Sequence, residues 1–258
     1  MIGALAGDFI GSVYEAGTMK TTDFPLFHPR CRFTDDSVLT VALADSILNG
    51  TDYTTLLKSY FRHYPNAGYG GTFYHWAASD SREPYNSWGN GSAMRVSPVG
   101  WAYELLDEVL IQAELSAAVT HNHPEGVKGA QAIASALFLA RKGKSKPEIR
   151  SFIETEFGYD LSEPLDSLRA HYTWDVSCQG SVPPALMAFL ESSDWEDAVR
   201  KGISLGGDSD TIGCMAGAVA EAYYGGVPEP IRAKILSRLD PPMAAVTVAF
   251  TTRYMPSK

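Results

Sequence analysis

The sequence predicts an all-α protein, a compact single-domain bundle of roughly a dozen helices with a dinuclear metal site in its central loops. Apolar residues recur at helical spacing in most segments, and helix start and stop residues flank those segments. Residues 244–251 have the β-branched content of a strand, but a lone strand has no sheet to join, so we assign them to a helix. No repeat or long linker divides the chain, which favours one domain.

The helices of the first half follow from their apolar faces and start residues. An apolar face predicts a helix over 37–49, and a second helix follows from about Asp52. Ser97 and Pro98 begin a helix that we expect to continue through WAYELLDEVL. A long Ala-rich amphipathic helix covers 126–142. The Gly- and Asp-rich connections between these helices are the candidate active-site loops.

The second half predicts an antiparallel helix pair and one central helix. The pair covers 182–192 and 195–205, with Ser193 and Glu196 spaced as a capping box at the break. The last clear helix covers 211–224, and one of its faces has small residues that allow a neighbouring helix to approach closely. These residues are Gly213, Ala216, Gly217 and Ala220. We therefore expect this helix to be buried at the centre.

Composition and charge exclude several classes of protein. The 258 residues are 45% hydrophobic, enough for a sizeable core, so disorder is excluded. Thirty acidic against twenty-one basic residues give a net charge of -9, which repels nucleic acid and anionic membranes. Three cysteines without a CxxC pair suggest neither a disulfide framework nor a thiolate zinc site. We expect a protein of the reducing cytoplasm that binds neither nucleic acid nor membrane.

Two acidic clusters are the sharpest features of the sequence: TDD at 34–36 and GGDSDT at 206–211, each at the start of an apolar helix. Helix capping alone explains the first cluster when it is considered in isolation. Helix capping does not explain the second cluster as easily, because residues two apart, such as Asp208 and Asp210, point to nearly opposite sides of a regular helix. They converge only if the backbone there is non-helical, which the two preceding glycines permit.

Carboxylates and Thr hydroxyls without Cys or His are hard oxygen ligands, which suit Mg²⁺ or Mn²⁺ better than Zn²⁺. A pair of ions about 3.5–4 Å apart would compensate four crowded carboxylates and orient substrate oxygens and water. A calcium loop beginning at Asp208 fails, because Ile212 and Val219 then occupy positions that require oxygen ligands. The clusters therefore predict a site for two Mg²⁺ or Mn²⁺ ions.

Six motifs in order resemble the ADP-ribosylglycohydrolase family, including its dinitrogenase-reductase-activating and ADP-ribosyl-serine branches. They are GALAGDFIGSVYEAG, FTDDS, GYGG, SWGNGSAMR, THNHPEG and GGDSDT, and they extend through nearly the whole chain. The resemblance implies one ADP-ribosylglycohydrolase-like domain over 1–258, an all-α fold and two Mg²⁺ or Mn²⁺ ions. It also implies cleavage of the bond between C1″ of ADP-ribose and an acceptor atom.

The resemblance implies metal ligands from both acidic clusters. These are Thr34, Asp35 and Asp36 on one side, and Asp208, Asp210 and Thr211 on the other. Glu15 matches the flap glutamate that the serine-directed branch uses in catalysis, and Asp35 or Asp36 is the alternative general acid or base. A solvated loop glutamate is the alternative for Glu15, whose flap is short here. Asp8 is also a motif residue that either ties loops together or supports the site.

An acidic protein that binds a diphosphate needs hydrogen-bond donors at the binding site, and the backbone N–H groups of glycine turns supply them. The residues that fit are Gly70, Gly71 and Thr72 in the first turn, and Ser87, Gly89, Asn90 and Gly91 in the second, with Met94 packing beneath. The resemblance places Trp88 against adenine, a core tryptophan being the alternative, and places His121 facing the nucleotide. Cys178 has no His–Asp arrangement beside it, so we expect packing, not a nucleophile.

The expected mechanism is direct hydrolysis. The metal pair would bind the 2″- and 3″-hydroxyls of the distal ribose, and a carboxylate would activate water. The expected partner is ADP-ribose or an ADP-ribosylated protein or small molecule. The linkage to the acceptor, through serine, arginine or an acetyl group, is left open. The sequence does not predict an oligomeric state. The alternatives are a two-metal phosphohydrolase that cleaves the diphosphate, and a non-catalytic ADP-ribose binder.

Overall fold

A computed structural model describes residues 1–15 and 17–255. Its helices are α1 (Ile2–Gly11), α2 (Asp35–Asn49), α3 (Tyr53–His63), α4 (Gly71–Ala78), α5 (Gly91–Met94), α6 (Ser97–Ala102), α7 (Leu106–Ala118), α8 (Pro124–Arg141), α9 (Lys146–Phe157), α10 (Leu165–His171), α11 (Cys178–Leu190), α12 (Trp195–Ile203), α13 (Ser209–Tyr224), α14 (Glu229–Leu236) and α15 (Pro241–Tyr254). The described residues contain no strand, and their β-pairing is confined to two isolated bridges, Gly17–Gly207 and Gly89–Ser177. The all-α prediction is confirmed. The single domain over 1–258 stays a prediction.

The central position of α13 is confirmed. This helix is buried along nearly its whole length and packs against α1, α8, α11 and α12. Its small-residue face lies against α1, where a Cβ added at Gly7 would lie 2.0 Å from Gly213 O. A Cβ added at Gly3 would lie 2.2 Å from Gly217 O. The two backbones are therefore in direct contact, and the C-terminal end of α1 lies against the start of α13, where a Cβ added at Gly11 would lie 2.5 Å from Asp210 Cα.

The helix predicted to run through WAYELLDEVL is interrupted, so that part of the prediction was wrong. Ser97 begins α6 as expected, but Tyr103 and Leu105 are extended, and a separate helix, α7, follows. The C-terminal end of α8 explains the break, because Arg141 donates hydrogen bonds to Tyr103 O and to the Glu104 carboxylate. These contacts outweigh the local helical preference of the segment.

The capping box predicted at Ser193 and Glu196 was also wrong. Asp194 is the N-cap of α12, and its carboxylate accepts a hydrogen bond from Asp197 N. Glu196 instead pairs with Arg200 one turn later. The segment 244–251 is helical as predicted, within α15, which begins after an Asp240 cap.

Among residues 1–15 and 17–255, no helix is both long enough and apolar enough to cross a lipid bilayer. The cytoplasmic location stays a prediction.

Candidate active site

A cavity of about 350 Å³ lies where the N-terminal ends of α2, α4, α5 and α13 meet. Its volume is in the range of small-molecule sites. It is lined by most of the site residues predicted from the sequence. These are Glu15, Asp35, Asp36, Gly70, Gly71, Thr72, Ser87, Gly89, Asn90, Gly91, Met94, His121, Asp208, Asp210 and Thr211. Of the predicted set, Thr34 and Trp88 lie outside this lining.

Two groups of carboxylates lie at one end of the cavity. In the first, oxygens of Asp8, Asp36 and Asp210 lie within 4.8 Å of one another. In the second, Glu15, Asp208 and Asp210 are equally close. Asp210 belongs to both, so the two sequence clusters form one continuous acidic centre. Asp35 lines the same cavity but belongs to neither group.

Asp36 offers a free ligand atom to this centre. Its Oδ2 accepts a hydrogen bond from the Thr211 hydroxyl at 3.3 Å and lies at the same distance from the Thr34 hydroxyl, whose proton is donated to Asp8. Its Oδ1 is buried and has no hydrogen-bond partner among the described residues. A buried acceptor left unpaired costs free energy, whereas a cation beside it removes that cost. The donor set therefore fits a hard divalent cation.

Asp8 supports α2 from the neighbouring helix. Its carboxylate accepts hydrogen bonds from Thr34 N at 3.0 Å, Thr34 Oγ1 at 2.7 Å and Ser37 N at 3.1 Å, and also from the Ser37 hydroxyl. Those amides lie in the first turn of α2, where N–H groups have no partner within the helix. Asp8 therefore ties α1 to the start of α2 through these hydrogen bonds, and it is at the same time a member of the first carboxylate group.

The backbone before α13 is non-helical, as the convergence of two carboxylates requires. Gly206 and Gly207 have φ values of 73° and 69°, a region that favours glycine. Asp208 precedes the helix as its N-cap residue, whereas Asp210 lies in the first turn and accepts a hydrogen bond from Thr211 N. Because Asp208 is outside the regular helix, its carboxylate and that of Asp210 reach the same centre.

The crowded carboxylates have raised pKa values. Burial, with the negative charges of Asp8 and Asp208, raises the pKa of Asp35 to about 8. Burial and neighbouring aspartates raise the pKa of Asp36 and that of Asp210 well above the usual value. Without a cation, the centre favours protonated carboxyls; a cation favours the ionised form and is bound as protons leave.

Glu15 lies at the mouth of the cavity, on the turn that follows α1. Its side chain is largely exposed, yet partial burial and the charge of Asp208 raise its pKa, with Arg32 acting in the opposite direction. A carboxyl group with a raised pKa holds a proton nearer to neutral pH than a free glutamate does. Its position and its pKa therefore suit a general acid or base.

Free N–H groups at the start of α4 also line the cavity. Gly71 begins α4, and no side chain in the described part of the chain caps this helix. Its first-turn N–H groups are therefore available to an anion. A Cβ added at Gly71 would meet no described atom within 4 Å outside its chain neighbours and its own helix, so there is open space beside this helix start.

A buried hydrogen-bond chain supports the middle of the cavity. His121 Nδ1 lies 2.7 Å from Thr120 Oγ1, to which Arg95 donates a hydrogen bond at 2.8 Å. Burial and the charge of Arg95 lower the pKa of His121 well below its usual value, so the ring is neutral at pH 7. Sequence analysis missed Arg95, which is fully buried and lines the cavity. Its place in the SWGNGSAMR motif was the available signal.

Two exposed tryptophans lie in or beside segments that line the cavity. Trp88 is 52% exposed, which contradicts the core alternative, and its ring lies 5.5 Å from that of His123. Trp174 is 48% exposed and lines the cavity, although sequence analysis gave it no role. Cys178 is buried, and burial raises the pKa of its thiol to about 12, which agrees with packing.

The chain matches known proteins over almost its whole length. The ADP-ribosylglycohydrolase family profile matches residues 1–251. The human "ADP-ribosylhydrolase ARH3" is 30% identical, with 87% of this chain and 84% of the relative covered. The "ADP-ribosylarginine hydrolase Tri1" of Pseudomonas putida is 25% identical, with 75% and 59% covered. A solved structure, "ADP-ribosylglycohydrolase-related protein complex", has a TM-score of 0.68 at 26% identity and covers 98% of this chain and 99% of its own.

Proposed function

The chain belongs to the ADP-ribosylglycohydrolase family and is an ADP-ribosyl glycohydrolase. From this premise we propose that it hydrolyses the bond at C1″ of ADP-ribose conjugates with the help of two bound Mg²⁺ or Mn²⁺ ions. The product would be free ADP-ribose, released from a modified protein side chain or a small molecule.

The observation that carries the proposal is the acidic centre beside the cavity. Two carboxylate groups share Asp210, and Asp36 Oδ1 is buried there without a partner among the residues described. Two adjacent groups that share one aspartate suit a pair of cations. We propose as ligands Thr34, Asp35, Asp36, Asp208, Asp210 and Thr211. When bound, the ions would orient the distal ribose and polarise water.

The chain's own groups would carry the proton transfers. Glu15 lies beside Asp208 and Asp210 at the mouth of the cavity. As a general base it would take a proton from water, or as a general acid give one to the leaving acceptor. Asp35 is the second candidate, because it lines the same cavity and belongs to neither carboxylate group. Carboxylates around the distal ribose would stabilise positive charge developing on it.

The nucleotide would be held by uncharged groups. The first-turn N–H groups of α4 would bind the diphosphate without competing carboxylates. His121 is neutral, so it would act as a hydrogen-bond partner of the nucleotide, not as a cation. Trp88 would stack on adenine at the rim of the site, where half of its surface is free.

The acceptor that we propose is the hydroxyl oxygen of a serine. Glu15 and the SWGNGSAMR turn resemble the serine-directed branch, and the matched ARH3 proteins cover more of this chain than the arginine hydrolase does. We propose O-linked ADP-ribose as the first substrate to test. Arginine-linked and acetyl-linked conjugates are the comparison substrates.

The test is product analysis by chromatography. Purified protein is incubated with serine-, arginine- and acetyl-linked ADP-ribose, in Mg²⁺, in Mn²⁺ and in chelator. We expect free ADP-ribose with metal and at least about 100-fold less without it. AMP and ribose phosphate as products would indicate a phosphohydrolase instead, and binding without turnover would indicate a non-catalytic binder.

Two variants test the residue assignments. Asp208→Ala is expected to lose metal-dependent turnover while keeping its fold, and Glu15→Gln to bind ADP-ribose with little cleavage. Asp107→Asn is the matched control, because Asp107 is an exposed acid at the start of α7. Full activity in Asp208→Ala would refute the metal-site assignment.

A further inference from the structure

We propose that Lys20 is a positioning residue, which holds the chain segment after Glu15 against the loop that carries Asp208. The proposal rests on the proposed function, because it assigns Lys20 the task of fixing the distance between Glu15 and the metal ligands. Lys20 itself touches no reacting atom.

The ammonium group of Lys20 joins three stretches of chain. It donates one hydrogen bond to Tyr172 O and another to Leu205 O, each at 2.6 Å. Leu205 directly precedes the Gly206–Gly207 turn, and Tyr172 precedes the cavity wall at Trp174. One cation therefore connects the segment after Glu15, the metal-ligand loop and a wall of the cavity.

The same segment is fixed to this loop at a neighbouring point. Gly17 pairs with Gly207 in an isolated β-bridge. A Cβ added at Gly206 would lie 3.2 Å from Gly17 O and 3.6 Å from Lys20 Nζ. The segment after Glu15 thus packs directly on the turn before Asp208, and Lys20 provides the charged contact in that packing.

A second cation fixes the far end of the segment. Arg200 of α12 donates hydrogen bonds to Thr22 O at 3.0 Å and to Phe24 O at 2.8 Å. Arg200 holds residues 22–24, whereas the bridge at Gly17, the core contact of Met19 and the two hydrogen bonds of Lys20 hold residues 17–20. Replacing Gly17 would change the conformational freedom of the backbone, so Lys20 is the contact that a side-chain substitution tests most directly.

The two hydrogen bonds of Lys20 restrict the position of Glu15 relative to Asp208. Glu15 is largely exposed and lies on a turn, so little packing holds its side chain. Hydrogen bonds in which one partner is charged are the stronger class, and Lys20 makes two of them five residues away. Without them the backbone at Glu15 would occupy more positions relative to Asp208, and proton transfer depends steeply on that distance.

The first test is steady-state kinetics of Lys20→Met. This variant keeps an unbranched side chain of similar reach but has no donor. We expect kcat to fall about 10- to 100-fold, with KM and the Kd for ADP-ribose changed less than about threefold. Lys20→Arg, which retains a cationic donor, is expected to restore at least half of the activity. An unchanged kcat in Lys20→Met would overturn the proposal.

Lys146→Met is the matched control. Lys146 also donates to a backbone carbonyl, that of Ser192, and to the Tyr224 hydroxyl, but it lies at the other end of α13. We expect it to lose stability without losing kcat. An equal loss of kcat in both lysine variants would mean a general loss of stability, and would overturn the positioning role.

A double-mutant cycle tests whether Lys20 acts through Glu15. If it does, adding Lys20→Met to Glu15→Gln lowers kcat by less than about twofold further. Independent losses that multiply would overturn the proposal, because Lys20 would then act on another part of the site.

Hydrogen exchange separates this proposal from the proposed function. In Lys20→Met we expect the amides of 12–24 and 205–208 to exchange at least about 10-fold faster than in the wild type, with Lys146→Met unchanged there. The expected change in hydrogen exchange does not depend on the identity of the substrate. A wild-type protein that releases no ADP-ribose would refute the function alone, whereas unchanged exchange would refute the role of Lys20.

Discussion

The side-chain amide of Asn90 donates a hydrogen bond of 2.6 Å to Asp208 Oδ2. The same amide group donates to Ser181 Oγ at 3.0 Å, and Asn90 N donates to Val176 O at 2.8 Å. The backbone N–H of Asn90, which the sequence predicted to be a donor to the substrate, is therefore used inside the protein, as is its side-chain amide. Asn90 instead orients one of the proposed metal ligands and joins the SWGNG turn to α11 and α13.

Replacing Asn90 should weaken metal binding. In Asn90→Ala the Asp208 carboxylate loses its orienting donor, and supporting contacts of this kind are worth about 10- to 100-fold in metal affinity. We expect a loss of that size in the Mg²⁺ or Mn²⁺ affinity measured by isothermal titration. Asn49→Ala is the control, because Asn49 is an exposed residue at the end of α2 that bonds only to Asp45 among the described side chains. Equal affinities of Asn90→Ala and wild type would contradict this role.

Gly7→Ala should strongly destabilise the fold. The added Cβ would lie 2.0 Å from Gly213 O, so α1 and α13 must separate. We expect the free energy of unfolding in urea to fall by about 1–3 kcal/mol or more, as for other overpacked cores. Gly71→Ala adds the same methyl group in open space, and its stability should stay within about 1 kcal/mol of the wild type. Equal stability of the two variants would show that the helix contact is not tight.

The metal-free protein should become less stable as pH rises. The pKa of Asp35 is about 8 in the folded state, above the value of an unfolded aspartate, so the folded state binds more protons between about pH 4 and 8. Stability from this group is present at low pH and is lost as pH rises through about 8. Thermal melts in chelator at pH 5 to 8 should therefore show a falling Tm, and stabilisation by Mg²⁺ should grow over the same range.

Asp35→Asn serves as the control for this pH dependence. The amide does not ionise, so the fall in Tm between pH 5 and 8 should be smaller than in the wild type. An identical pH profile for the two proteins would contradict the assignment to Asp35.

His121 should remain neutral across the physiological pH range. Burial and the charge of Arg95 lower its pKa, so protonation would require partial unfolding. We expect the His121 ring resonances in nuclear magnetic resonance spectra to stay constant between pH 5.5 and 8, with free imidazole in the sample as the internal reference. A titration of His121 in step with imidazole would contradict this prediction.

Sequence analysis located most of the site because the relevant residues cluster at helix starts. Caps, glycine stops and carboxylate pairs are local signals, and they identified both acidic clusters and the two glycine turns. Spacing alone also showed that Asp208 and Asp210 need a non-helical backbone to converge. Trp174 had no such local signal, and Arg95 was marked only by its place in the SWGNGSAMR motif, because the burial of a charge and the lining of a cavity depend on distant chain segments.

By itself, then, the sequence determined the helical class and the two acidic clusters, and it predicted hard divalent cations for those clusters, since each inference follows from residues near one another in the chain. The tertiary structure alone decided that Asp210 is shared by two carboxylate groups and that Asn90 faces Asp208. It also decided that contacts from Arg141 interrupt the helix before Leu106. These features depend on side chains far apart in sequence, whose approach is set by the contact of α1 with α13 and by the packing around it.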